Sequence, residues 1–128
     1  MQQLQFEQSW NKALSTQDRS MIEELFQQTK ELKTSGVHFS PIRLSYNYKK
    51  ELLITVLVHN FTDRPLTFHN TSLVYRTLEK IVAEKNFTIP ALSVPANVSM
   101  PWTFIFSEND YHTDALNCEN GLLLLDNK

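Results

Sequence analysis

Apolar residues fall at Phe6, Trp10, Ala13 and Leu14, the i, i+4, i+7, i+8 spacing that lays one stripe along a helix. Ile22, Leu25, Phe26 and Thr29 carry a helical period on towards Leu32. Between the two runs, Ser15-Thr16-Gln17-Asp18 reads as a stop and restart, with Ser15 as N-cap and Asp18 three residues on in the first turn. The pattern predicts a helical hairpin over about residues 3–34, inside a helical segment 1–35 that Gly36 ends. A pair this short is not stable alone, so it must pack on another layer.

From Val37 the period shortens from 3.6 to 2. Val37 and Phe39 alternate, Pro41 interrupts, and Ile42, Leu44 and Tyr46 resume in the opposite parity, which predicts a bulge or an edge strand. After the polar turn 47–51, LLITVLVHN (52–60) is apolar on both parities except at Thr55, as a central strand covered on both faces should be. A turn over Asn60–Pro65 leads to a short strand at 66–68. Alternation then returns over 73–78, 81–85 and 87–89. Pro90, Pro95 and Pro101 punctuate the approach to Thr103–Phe106. Trp102, Phe104 and Phe106 alternate with Thr103 and Ile105, which predicts a closing strand with its indole against the core. Pro95 and Pro101 lack an amide hydrogen and are expected to stay out of the middle of any ladder. Asn120-Gly121 makes a turn pair before Leu122–Leu125, which is expected to form a short strand or docking segment. Short strands joined by short turns imply an antiparallel sandwich, and the fold class is α+β. Two glycines are too few for the repeated tight turns of many β-barrels.

At 128 residues, 41% hydrophobic and 20% charged, the chain can bury one core, so a single domain spanning 1–128 is expected and general disorder is not. A net charge of −2 gives no electrostatic footprint for nucleic acid or anionic lipid. Cys118 is the one cysteine, which excludes an intramolecular disulfide. MQQLQFEQSW lacks the basic patch and apolar run of a signal peptide. The longest apolar stretches are about four residues against the roughly 20 a membrane span needs. A cytoplasmic location is therefore expected. Asn-x-Ser/Thr occurs at Asn60, Asn70, Asn86 and Asn97. That pattern fits either glycan acceptors or the ordinary placing of Asn in turns and Ser or Thr in strands, and without a signal peptide the second reading is preferred.

Reaction signatures are sparse. Gly36 and Gly121 are the only glycines, so no Gly-rich phosphate loop is possible, and HExxH, GxSxG and CxxC are absent. Cys118 lies beside Asn117 and Glu119, and an acidic neighbour disfavours the thiolate. Of the histidines, His38, His59, His69 and His112, parity sends His38 to solvent. His59 and His69 flank the Asn60–Pro65 turn. They read either as the start of a metal site with no nameable third ligand or as a solvated pair. Extended, Glu108, Asp110, His112 and Asp114 would share one face. A calcium loop would also need a glycine and a closing glutamate, so Glu108–Asp114 otherwise reads as a solvated acidic turn. Glu7, Glu23 and Glu24 are solvating charges on helix surfaces. Tyr46, Tyr48, Lys49 and Lys50 are too few rings and cations for a nucleic-acid platform. No catalytic, cofactor-binding or metal residue is assigned.

LLITVLVHNFTDRPLTF followed by FTIPALSVPANVSMPWTFIFSEND resembles the SLAP domain of Bacillus-type Firmicutes. The matching positions are Asn60, Phe87, Pro90, Leu92, Pro95, Ser99, Pro101, Trp102, Thr103, Phe104 and Phe106. Val94 and Ala96 depart from the Ile and second Pro that the family prefers. The likeness covers about residues 37–110, and FEQSWNKAL resembles the helical segment that often precedes the domain. It implies an immunoglobulin-like β-sandwich over 36–110 after the helical hairpin, with a C-terminal tail at 111–128. It further implies a non-enzymatic interaction or adaptor role tied to S-layer or accessory Sec assembly, without a cofactor. The partner would be a protein, with a homodimer open through a sheet edge or the Leu122–Leu125 run. The alternative is a small-ligand or metal-binding β-sandwich module.

Overall fold

In chain order the elements are β1 (Gln3–Leu4), α1 (Gln8–Ala13), α2 (Thr16–Thr29), β2 (Val37–Tyr46), β3 (Leu52–Asn60), β4 (Leu66–Arg76), β5 (Ile81–Val94), β6 (Val98–Phe106), a 3-10 turn (Glu108–Asp110) and β7 (Leu122–Leu125). They come from a computed structural model that describes residues 2–31, 36–77, 81–111 and 121–125. The strands form two sheets, ordered β1-β6-β3-β2 and β5-β4-β7. All pairings are antiparallel except β1 with β6.

The central strand is β3, paired along its whole length with β2 on one side and β6 on the other. Its double cover explains why it is apolar on both parities around Thr55. Ile54, Val56 and Val58 face the opposite sheet, while Leu57 is sealed by Ile22 and Phe26 of α2. Phe104 of β6 is the hub between the layers. The rings of Phe39, Phe68 and Phe87 lie 5.9, 5.5 and 5.3 Å from it, so β2, β4, β5 and β6 meet on one side chain. Trp102 is half-buried against the same core and meets Trp10 of α1 at 6.3 Å.

Local chemistry sets the boundaries. Ser15 Oγ accepts the Asp18 N–H at 3.0 Å, so the expected N-cap opens α2. Glu7 caps the shorter α1 in the same way, through the Ser9 N–H. The β2 ladder slips between Pro41 and Arg43, and β2 is an edge strand, both as the proline predicts.

Several expectations are corrected. Residues 3 and 4 are strand rather than helix, and α2 stops at Thr29, well before Gly36. Leu32, where the helical period was expected to end, lies outside the described residues. Gly36 adopts φ +89° at the entrance to β2, and its carbonyl accepts the Phe61 N–H at 2.8 Å. The segments 66–68 and 73–76 join in one irregular strand, β4, which absorbs Asn70 at φ +50° among its register shifts. Strands also come from outside 36–110, at β1 and β7.

Pro95 lies between strands, but Pro101 sits inside β6 opposite Leu57. It is tolerated because of where its nitrogen points. The carbonyls of Asn97 and Ser99 receive Gln3 and Gln5 of the β1 segment, so odd positions of β6 aim their backbone groups at that edge. Pro101 shares this parity. The next parallel bond would need its missing N–H, and β1 goes no further.

Candidate functional site

Among the described residues, the buried polar side chains gather where β3 finishes and β2 and β6 begin. His59, Asn60, Ser40 and Ser99 are all buried there. His59 pairs across the ladders with His38 and Ser99 and shares the face of Leu57, the face of this sheet turned away from the other sheet. Its Nε2 lies 3.0 Å from Ser40 Oγ and its Nδ1 2.6 Å from Ser99 Oγ. Ser99 Oγ also accepts a hydrogen from Gln2 Nε2 at 3.1 Å. We assign the tautomer in which the Ser99 hydroxyl hydrogen goes to Nδ1 and the ring hydrogen sits on Nε2, facing Ser40.

The rings of Phe61, at 5.1 Å, and His38, at 6.0 Å, stack on this imidazole. Burial, and then the neighbouring His38, push His59 down to about 4 from its ordinary 6.5. Burial lowers His38 as well. His38 is therefore not the solvent-facing side chain that parity suggests. With both nitrogens bonded and no exposed surface, His59 offers neither a metal ligand nor a proton acceptor to an incoming molecule.

Asn60 ties the adjoining turn. Its Nδ2 donates to the carbonyls of Arg64 (2.8 Å), Val94 (3.0 Å) and Pro95 (3.2 Å). Its Oδ1 accepts from the Thr62 amide at 3.1 Å and the Thr62 hydroxyl at 2.6 Å. A side chain so enclosed cannot carry a glycan in the folded chain. Asn70, Asn86 and Asn97 are exposed, and Asn70 and Asn97 (φ +58°) occupy the left-handed backbone region that Asn tolerates in turns.

The structure does not bring the other sequence candidates together. His69 lies exposed on β4, in the sheet opposite His59. Among the described residues no three His, Cys, Asp or Glu side chains are grouped to hold a metal. Glu108 to Asp110 form a turn, not an extended face. There Asp110 Oδ2 accepts from the Ser107 amide and hydroxyl, each at 2.8 Å, and lies 3.7 Å from Lys85. Burial raises the Asp110 carboxyl, but the Ser107 hydrogen bonds and Lys85 outweigh it and hold the group below its ordinary value. His112, Asp114 and Cys118 lie outside the described residues. Tyr46 turns to Tyr111 at 6.1 Å while Tyr48 is 91% exposed, so the two tyrosines share no stacking platform.

Concavities also mark the surface. A cavity of about 130 Å³ lies between β2 and β7, walled by Phe39, Leu44, Ile54, Tyr75 and Leu123, with Arg43 the charged residue on its wall. An open groove of about 390 Å³ runs past Trp10, Ala13 and Leu14. No helix among the described residues is long and apolar enough to cross a membrane.

Sequence reasoning missed the His59 cluster. The available signal was the strand itself, since a segment covered on both faces leaves no solvent for a histidine in its last turns.

The residues that carried the family likeness prove to be those that hold this architecture. Asn60 fastens the turn to Pro95, Ser99 bonds His59, Pro101 limits β1, and Phe87, Phe104 and Phe106 interlock. No curated protein and no solved structure matches the chain. The family model for the SLAP domain matches residues 4–124, nearly the whole chain, and the protein belongs to that family.

Proposed function

We propose that the chain is a non-enzymatic protein-interaction domain that engages its partner along the free edge of β7. The observation that carries this reading is the contrast between β7 and the other edges. The β2 edge has Pro41, a bulge and Arg43, and β5 has Pro90, Glu84, Lys85 and several register shifts. These are the devices by which sheets refuse further strands. In β7, four leucines pair with β4 in unbroken register, and among the described residues no strand lies beyond it. Leu122 and Leu124 are 48% and 38% exposed. An added strand with apolar alternate residues would satisfy the edge and cover the leucines.

Membership of the SLAP family supports a setting in S-layer or accessory-secretion assembly of a Gram-positive cell. The two-sheet arrangement supports an immunoglobulin-like scaffold preceded by a helical pair. The cluster around His59 supports a structural rather than catalytic use of the chain's most enclosed polar groups.

A photo-crosslinking residue at position 124 tests the reading in the producing cells. A discrete adduct is expected there and not from position 86 on β5. Substituting Leu122→Lys, with the crosslinker kept at 124, should abolish it, while circular dichroism stays unchanged. An adduct with a second copy, matched by a concentration-dependent dimer in light scattering, would identify the partner as the chain itself. Equal labelling from both positions, or an adduct indifferent to Leu122→Lys, overturns the reading.

A further inference from the structure

The His59 cluster is joined to the start of the chain by a link that depends on a proton. Gln2 donates to Ser99 Oγ at 3.1 Å and to the Asn60 carbonyl at 3.2 Å. The segment it opens is held to β6 by a short parallel ladder, whose bonds include Gln3 N–H to Asn97 O at 3.0 Å and Gln5 N–H to Ser99 O at 2.9 Å. Pro101 prevents a longer ladder, so β1 is a two-residue edge strand, with Leu4 packed towards Ile22, Phe26 and Leu57.

In the neutral cluster, with the ring in that tautomer, both ring nitrogens and Gln2 are bonded. The Ser99 hydroxyl donates to Nδ1, its oxygen receives Gln2, and Nε2–H donates to Ser40. Protonating the ring turns Nδ1 from acceptor to donor. Ser99 must then accept from both the ring and Gln2, and its own hydrogen loses the acceptor it had. A buried charge appears at the same time. Among the described residues, the groups that face it are Ser40 and His38 from β2, Ser99 from β6, Gln2 from β1 and Phe61 beyond β3. No carboxylate is among them. His38 is the titratable one, and its own protonation adds repulsion of the same sign. Water relieves both defects, and the shortest strand around the cluster is β1, of two residues.

We infer that β1 is an acid-released strap: protonation of His59 detaches Gln2–Gln5 from β6 and uncovers the edge of that sheet at Asn97–Ser99. Opening exposes an imidazole that binds its proton at the ordinary value of 6.5, whereas burial holds the closed form near 4. The opening constant therefore climbs tenfold per pH unit across that window, about two orders of magnitude in all.

Hydrogen exchange by NMR on the whole chain, corrected for the intrinsic pH dependence, tests this directly. The Gln3 and Gln5 amides should lose about a hundredfold of protection between pH 6.5 and 4. Over the same range the Val56 and Val58 amides of β3 should remain far better protected. In His59→Gln the response of Gln3 and Gln5 should flatten. Should that variant not fold, Gln2→Ala replaces it. There β1 should be poorly protected already at pH 6.5 and no longer respond, with Val56 and Val58 as in the parent. Loss at Gln3 and Gln5 in step with β3 identifies plain acid unfolding and overturns the inference. So does flat protection in the parent, or a tenfold-per-unit response that survives in either variant.

Discussion

Asn60 shows how one side chain can fix the join between two strands. Three carbonyls and two Thr62 donors converge on it without exposure to water. Truncation to alanine strands these groups, and each unmade buried hydrogen bond costs about 1–3 kcal/mol. Asn60→Ala is therefore expected to lower stability by on the order of 3 kcal/mol or more, read from urea unfolding. Asn60→Asp should not rescue it at neutral pH, because a carboxylate offers only acceptors to three carbonyls. The sequence reveals Asn60 as a turn residue but not this role. Thr62 and Arg64 are local partners, whereas Val94 and Pro95 lie 34 and 35 residues away. His59 was obscured for the same reason, its partners Ser40 and Ser99 being 19 and 40 residues distant.

Elements were legible in proportion to how local their determinants are. The Ser15 cap spans three residues and was readable, as was β3, whose apolar run is its own evidence. The two-residue β1 has no period to read. Its place is set by carbonyls on β6 that its own sequence does not mention. Four leucines in a row are equally mute, and only pairing with β4 decides that Leu123 is 2% exposed while its neighbours are not. Gly121 was readable as a turn residue, but the fold needs it for space. An added Cβ would come within 2.5–2.8 Å of the Tyr75 ring. At Gly36 there is open room and the constraint is the backbone, at φ +89°. Gly121→Ala should thus cost about 1–3 kcal/mol through overpacking. Gly36→Ala should cost on the order of 1 kcal/mol through strain alone. Thermal melting measures both, and a β-branched residue should worsen each.

For the molecule as a whole, the buried imidazole makes stability depend on mild acid. Above pH 6.5 neither the folded nor the unfolded chain protonates His59, and its full contribution is present. As pH falls towards 4 the unfolded chain takes up the proton and the folded one does not. Unfolding free energy should then drop by about 1.4 kcal/mol per pH unit and level off below that window. The stabilisation from Glu7 and Asp110, whose carboxyls are held below 4.5 and 3.8, starts to be lost only as the pH falls through those values. Urea titrations between pH 6.5 and 5 therefore isolate the histidines. The parent should lose about 2 kcal/mol there from His59, with a further loss from His38, and His59→Gln should keep the His59 share.

The two-sheet plan was visible in the shift of period at Val37, but the way Phe104 gathers rings from both sheets was not, since packing across layers leaves no periodic trace. The position of β7 has one more consequence, in the order of synthesis. The Leu73–Arg76 side of β4 is covered by residues 122–125, the last described stretch to be translated. A nascent chain that has completed every other strand still presents an unpaired apolar edge, so the interval before those leucines emerge is when it is most open to pairing with a neighbour on the same message.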